Sequence, residues 1–134
     1  MDEMNQLKVF TAEEANRMLP KLTDMVTTLQ AHHREILAKE VEIDALELVA
    51  DKKGSTAVNG KVEEYTRLVN RFYNLIDEIQ ETGCLLKDLD LGLVDFYSLQ
   101  NNHLVFLCWK LGEPAIEFWH DTGAGYSSRQ PIQK

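Results

Sequence analysis

Basic residues are scarce in this sequence. The 134-residue chain sets 14 lysines and arginines against 22 aspartates and glutamates, for a formal net charge of −8. Phosphate backbones and anionic membrane surfaces are held by clustered Lys and Arg, so neither nucleic acid nor a membrane is an expected partner. Cysteine is scarce too, with two residues in all, Cys84 and Cys108. They form no CxxC, and their spacing does not forbid a disulfide. The first residues show no basic stretch followed by an apolar one, so reduced thiols and a cytoplasmic location are expected. Long apolar runs are missing: the longest, Leu104 to Trp109, falls far short of a bilayer. Internal repeats, low-complexity segments and the GxSxG of a nucleophile elbow are also missing.

What remains has an ordinary globular balance, 44% hydrophobic and 27% charged, and the length suits one domain spanning residues 1–134. Phe10-Thr11-Ala12-Glu13-Glu14 reads as a capping box, with Thr11 capping the N–H of Glu14 and Glu14 reaching back to Thr11. Phe10 can staple onto Ala15, and the two glutamates suit the positive end of the helix dipole. Apolar residues then recur at Leu22, Met25, Leu29, Ile36, Ile43 and Leu46, with polar interruptions at His32 and Lys39. This predicts a first helix over about 11–50, kinked or split at Pro20. Asp51 to Gly60 reads as a polar loop. A second helix is predicted over about 61–82, on the stripe Val62, Tyr65, Val69, Phe72, Ile76, Ile79, stopped by Gly83. At 1.5 Å per residue the helices measure roughly 57 and 33 Å. An antiparallel hairpin would pair Ala50 with Val62, Ile43 with Val69 and Ile36 with Ile76. Its first half would then need a further partner, either the C-terminal segment or a second subunit.

Residues from about 90 to 120 read as three short strands: Leu93–Tyr97, His103–Trp109 and Ala115–His120. They are separated by turns at Gln100-Asn101-Asn102 and at Lys110 to Pro114. The tail from 121 to 134 reads as irregular. The predicted class is α+β: a long antiparallel helical hairpin followed by a three-stranded antiparallel meander packed on the helices.

Four stretches have a wider resemblance. These are Phe10-Thr11-x-Glu13-Glu14-Ala15-Asn16-x-x-Leu19-Pro20, Lys87-Asp88-Leu89-Asp90-x-Gly92-Leu93-Val94-Asp95-Phe96, Leu107-Cys108-Trp109-Lys110-Leu111-Gly112-Glu113-Pro114, and Phe118-Trp119-His120 with Gly125-Tyr126-x-x-Arg129-Gln130-Pro131. Together they resemble a prokaryotic family catalogued as domain of unknown function 2203, over nearly the whole chain. The resemblance implies no activity. Tyr126-Ser127-Ser128 departs from the Phe-Ala-Gly expected there, so any role of the Tyr126 hydroxyl would be particular to this protein.

Four constellations could carry chemistry. The carboxylates Asp88, Asp90, Asp95 and Glu113, with the His120-Asp121 pair, could supply a divalent metal site. His120, Asp121, Asp88 and Asp90 would be its ligands. Alternatively Asp88 and Asp90 cap or solvate a turn and Asp95 pairs with Arg129 or Lys110. His32-His33 lie near the end of helix two, within reach of Cys84, but adjacent helical positions diverge and suit boundary histidines better than ligands. The aromatics Trp109, Trp119, Phe118, Tyr97 and Tyr126 could line a pocket, with the two tryptophans stacked, or simply form core. The tail with Arg129 could hold a small anion, or Arg129 could close an ion pair onto Asp95 or Glu113. Cys108, inside an apolar strand, reads as an inert thiol.

Three functions fit these features. The favoured one is a non-catalytic binding or interaction module that self-associates as a homodimer through its helices. A second is a small metal-dependent or acid–base hydrolase at His120, with Asp95, Glu113 and Asp121 as carboxylate partners and Arg129 positioning a small anionic substrate. The third is a small-molecule sensor binding an anion through Arg129, Trp109, Trp119 and Tyr126.

Overall fold

The computed structural model describes residues 7–49 and 56–133. Helix α1 spans Ala12–Val49 and α2 spans Thr56–Glu81, followed by strands β1 (Leu85–Asp88), β2 (Leu93–Gln100), β3 (His103–Lys110), β4 (Phe118–Asp121) and β5 (Gln130–Pro131). The class is the predicted α+β. The strands form one antiparallel sheet in the order β1-β2-β3-β4-β5.

The start of α1 is the predicted capping box. The Thr11 N–H donates to Glu14 Oε1 (2.8 Å) and the Glu14 N–H donates to Thr11 Oγ1 (3.1 Å). The helix is not split at Pro20 but runs unbroken through it. Pro20 removes one helical hydrogen bond. Burial of Ala15, Leu19, Leu22, Val26 and Leu29 against the sheet holds the flanking turns in place.

The helical pairing differs from the predicted register by about two turns. Lys39 Nζ meets Glu64 Oε2 at 2.7 Å, the Tyr65 hydroxyl donates to Glu40 (2.9 Å), and His33 stacks on Phe72 at 5.8 Å. The cause is the start of α2 at Thr56. Val58, Asn59 and Gly60, read as loop, are helical. The rest of that reading, 51–55, lies outside the described residues, as does the predicted helical end at Ala50. A shorter connection slides α2 towards the open end of the hairpin. His32 and His33 therefore lie far from Cys84, whose thiol donates to the Ile79 carbonyl (3.3 Å).

The first half of α1 finds its partner in the sheet. Val94 and Phe96 from β2, Leu107 and Trp109 from β3, and Ile116 pack with Phe10, Ala15, Leu19, Leu22, Val26 and Leu29 in one core. Phe10 meets Phe96 edge-on at 5.1 Å. Asn16 Oδ1 accepts the Ile116 N–H at 2.6 Å. That bond ties Ile116 to α1, and Pro114 has no N–H to give to a ladder. The predicted third strand therefore begins only at Phe118. The β2–β3 hairpin turns at Asn101 and Asn102 with φ of 54° and 65°. That is the left-handed pair a tight two-residue turn requires, and asparagine tolerates it.

Five strands replace the predicted three. β1 is four residues long, and β5 is two residues that follow a 3-10 turn at Tyr126–Ser128 in the tail read as irregular. No described helix is long and apolar enough to cross a membrane.

Candidate metal centre and the uncovered hairpin

Side chains alternate across a strand. In β2, Val94 and Phe96 enter the core, so Asp95 and Tyr97 point to the other face of the sheet. In β3 the same rule sends Leu107 and Trp109 inward and Phe106 and Cys108 outward, and in β4 Trp119 inward and His120 outward. Register sets Asp95 opposite Cys108 and Cys108 opposite Phe118, while Tyr97 faces Phe106 and Phe106 faces His120.

Asp95 and His120 meet diagonally over β3, with Oδ2 and Nε2 3.2 Å apart. Cys108 lies beneath them. One ligand atom from each of Asp95, Cys108 and His120 falls within 4.8 Å of the other two. All three are sealed from solvent, at 3%, 1% and 2% exposure. Lys87 reaches in from β1, its Nζ 3.5 Å from Asp95 Oδ2 and 4.4 Å from the centre of the Phe106 ring. Tyr97 packs on the same ring at 4.7 Å.

The hydrogen bonding fixes the imidazole's role. His120 Nδ1 lies 2.8 Å from the Asp121 carbonyl. A carbonyl only accepts, so Nδ1 carries a proton. Nε2 then faces the Asp95 carboxylate either as a lone pair, which needs a cation or proton between them, or as a second N–H of an imidazolium. The other carboxylate oxygen, Asp95 Oδ1, is buried with no hydrogen-bond partner in the structure.

This is not a catalytic triad. Such a triad uses both imidazole nitrogens, one on the nucleophile and one on the acid. Here Asp95 and Cys108 share the Nε2 side and the backbone takes Nδ1. Burial, and next the charge of Asp95, push the Cys108 thiol up to about 12, so it is no nucleophile at neutral pH.

Of the other sequence candidates only Arg129 approaches this cluster, its guanidinium lying beside the Cys108 thiol. Asp88 Oδ1 accepts the Leu91 N–H (2.9 Å) and so caps the β1–β2 turn. Asp90 is exposed in that turn. Asp121 is exposed and lies 3.9 Å from His103. Glu113 does not reach His120. It forms a two-pronged pair with Arg129, at 3.0 and 2.9 Å, and its Oε1 also accepts the Lys110 N–H (2.7 Å). Asp95 thus pairs with neither Arg129 nor Lys110. Arg129 lies over the rings of Phe118 (4.1 Å) and Tyr126 (4.4 Å). Trp109 is core, and its Nε1 donates to the Glu113 carbonyl (2.9 Å). Trp119 packs beside that core, and among the described residues no ring contact joins the two tryptophans.

In the sequence Cys108 reads as an inert strand thiol and Lys87 carries no signal of its own. Cys108 was findable: a two-residue turn at Asn101-Asn102 pairs Gln100 with His103 and, further along both strands, Asp95 with Cys108.

A second feature lies at the far end of the hairpin. Beyond Ile36, no described residue of α1 is buried, and in α2 only Ile79 is. Leu37, Val41 and Leu48 are 47%, 69% and 86% exposed, and Ala45 lies open between them. At about 100° per residue these four share one face of α1. That face lies opposite the one carrying Ile36, Lys39 and Ile43 towards α2.

The model of a protein family described as "Uncharacterized conserved protein (DUF2203)" matches residues 8–132. No curated protein and no solved structure matches the chain.

Proposed function

The chain belongs to the DUF2203 family, and we propose that it is a non-catalytic interaction module that self-associates as a homodimer through the outer face of α1. The observation that carries this reading is the stripe Leu37, Val41, Ala45 and Leu48, exposed on the half of the hairpin that the sheet leaves uncovered. Its near-heptad spacing is that of a helix–helix seam. A seam of this kind is self-complementary across a two-fold axis. An antiparallel pairing centred on Val41 sets Leu37 against Ala45 of the second copy, and Arg34 against its Leu48, one position from Glu47.

The polar residues of the C-terminal half give little support to catalysis. The His120–Asp95 pair is sealed, so a substrate has no access to the imidazole in this conformation. An anion sensor at Arg129 would have to displace Glu113 from both guanidinium nitrogens. The net charge of −8 favours a second copy of the chain over nucleic acid as partner. Two buried free thiols suit a reducing compartment such as the cytoplasm.

Sedimentation velocity over a range of concentrations tests the reading. The wild-type chain is expected to sediment as a dimer. Val41→Glu, at an exposed position the monomer fold does not need, is expected to sediment as a monomer with unchanged helical circular dichroism. A wild-type monomer at every concentration, or an undisturbed Val41→Glu dimer, refutes it.

A further inference from the structure

We infer that Asp95, Cys108 and His120 form a binding site for a divalent cation of the zinc class. The inference stands apart from self-association and rests on the outer face of the sheet.

The donor set is one carboxylate oxygen, one sulfur and one imidazole nitrogen, presented by β2, β3 and β4 and gathered within 4.8 Å. Around a tetrahedral zinc, bond lengths of about 2.0 to 2.3 Å place neighbouring ligand atoms roughly 3.3 to 3.8 Å apart. The 3.2 Å between Asp95 Oδ2 and His120 Nε2 is just short of such an edge. Small side-chain rotations bring in Cys108. Sulfur with imidazole selects zinc-like ions over magnesium or calcium, which take oxygen ligands.

Two further observations point to a cation. The Nδ1–H of His120 is fixed on the Asp121 carbonyl. This is the outer hydrogen bond that directs the opposite nitrogen of a metal-bound histidine at its ion. Asp95 Oδ1, buried and without a partner, is an acceptor the fold itself does not satisfy.

Without metal, the Arg129 guanidinium lies beside Cys108 and Lys87 lies beside Asp95. Its ammonium, 3.5 Å from Asp95 Oδ2, supplies positive charge at the site, and the side chain is 42% exposed and free to swing into solvent. When a cation binds, Lys87 leaves and the fourth coordination position opens where it stood. Binding also takes the proton from the Cys108 thiol, because the thiolate is the ligand.

The test uses the untagged full chain, stripped with a chelator, refilled with cobalt(II) as a spectroscopic probe and assayed for zinc by elemental analysis. One zinc per chain is expected, as is a thiolate-to-cobalt charge-transfer band. Cys108→Ser, nearly isosteric, is expected to lose the band and keep the fold by circular dichroism. Asp95→Asn, which removes the charge of a ligand, is expected to weaken binding by at least the roughly 10- to 100-fold that loss of an outer-shell partner costs. Should either variant unfold, Lys87→Met keeps all three ligands, and removal of the competing ammonium is expected to tighten cobalt binding roughly two- to fivefold. Wild type that takes up neither metal, a band that survives Cys108→Ser, or Lys87→Met binding no tighter than wild type overturns the inference.

Discussion

Asp95 and His120 touch at 3.2 Å although a whole strand, β3, runs between theirs. The contact works only because both side chains lean over Cys108, and it leaves two ionisable groups at 4% and 2% side-chain exposure. Breaking one side of a buried pair strands the other charge, at a cost of about 3–5 kcal/mol. In metal-free protein, Asp95→Ala is therefore expected to lower unfolding stability by about that amount in a urea titration. Lys87→Met removes a partner that is 42% exposed and is expected to cost less than about 1 kcal/mol. Equal losses would mean that Lys87, not His120, is the partner that holds Asp95.

Gly92 is a second point where a small change is expected to matter. Its φ is +68°, and a Cβ added there would lie 2.6 Å from Leu111 Cβ. Its carbonyl also accepts the Leu111 N–H (2.9 Å), so the two backbones cannot separate freely. Gly92→Ala thus combines left-handed strain with a clash against a side-chain root that cannot rotate away. A loss of about 1–3 kcal/mol in denaturant unfolding is expected. Gly60→Ala, within α2 with nothing near its Cβ, is expected to stabilise by roughly 0.5–1 kcal/mol.

These cases mark what could be read from residues alone. The capping box at Thr11 and Glu14 and the Asn101-Asn102 turn are local patterns of a few residues, and they appear as read; of the helical stripes, the one on α2 fails at Val62, which is exposed. For Arg129 the residues offer an ion pair with either Asp95 or Glu113, and only the folded chain decides for Glu113. The helical register is not legible in the residues either, because it depends on where α2 starts, and the polar stretch before it has no sharp start signal. β1 and β5 were missed because four half-polar residues and a Gln-Pro dipeptide carry no strand pattern of their own. They are strands only because β2 and β4 offer them edges. Cys108 looked inert because its strand is apolar; its neighbours Asp95 and His120 emerge only when the strands are set in register.

Both thiols are expected to resist labelling in the native state. Cys84 and Cys108 are 0% and 1% exposed. Burial raises the Cys84 thiol above its ordinary value, against a smaller lowering by Thr82. A raised value in the folded chain means that the proton is held more tightly there than in the unfolded chain. The resulting stability is complete below the ordinary cysteine value and fades as pH rises through the folded one. A disulfide reagent such as Ellman's is expected to titrate two thiols per chain in denaturant and almost none in native buffer at neutral pH. Rapid native labelling would mean that the sheet opens readily.

The last prediction concerns Arg129, the residue a sensor of small anions would use. Its guanidinium is bound by both oxygens of Glu113, is 12% exposed, and lies against Phe118 and Tyr126. Any phosphate or sulfate must compete with a carboxylate held in place by the Lys110 N–H. The wild-type melting temperature is therefore expected to respond to phosphate no more than to chloride at equal ionic strength. Glu113→Gln keeps the shape and removes the resident charge, so it is expected to melt lower and to become phosphate-sensitive. Arg129→Lys keeps the charge but loses the fork and the ring stacking. It is expected to speed hydrogen exchange at the N–H of Ile132, which bonds the Glu117 carbonyl at 2.9 Å and holds the tail on the sheet. If phosphate raised the melting temperature of wild type but not of Arg129→Lys, the guanidinium would be a ligand site and not a clasp. The tail would then be the sensing element rather than a strap.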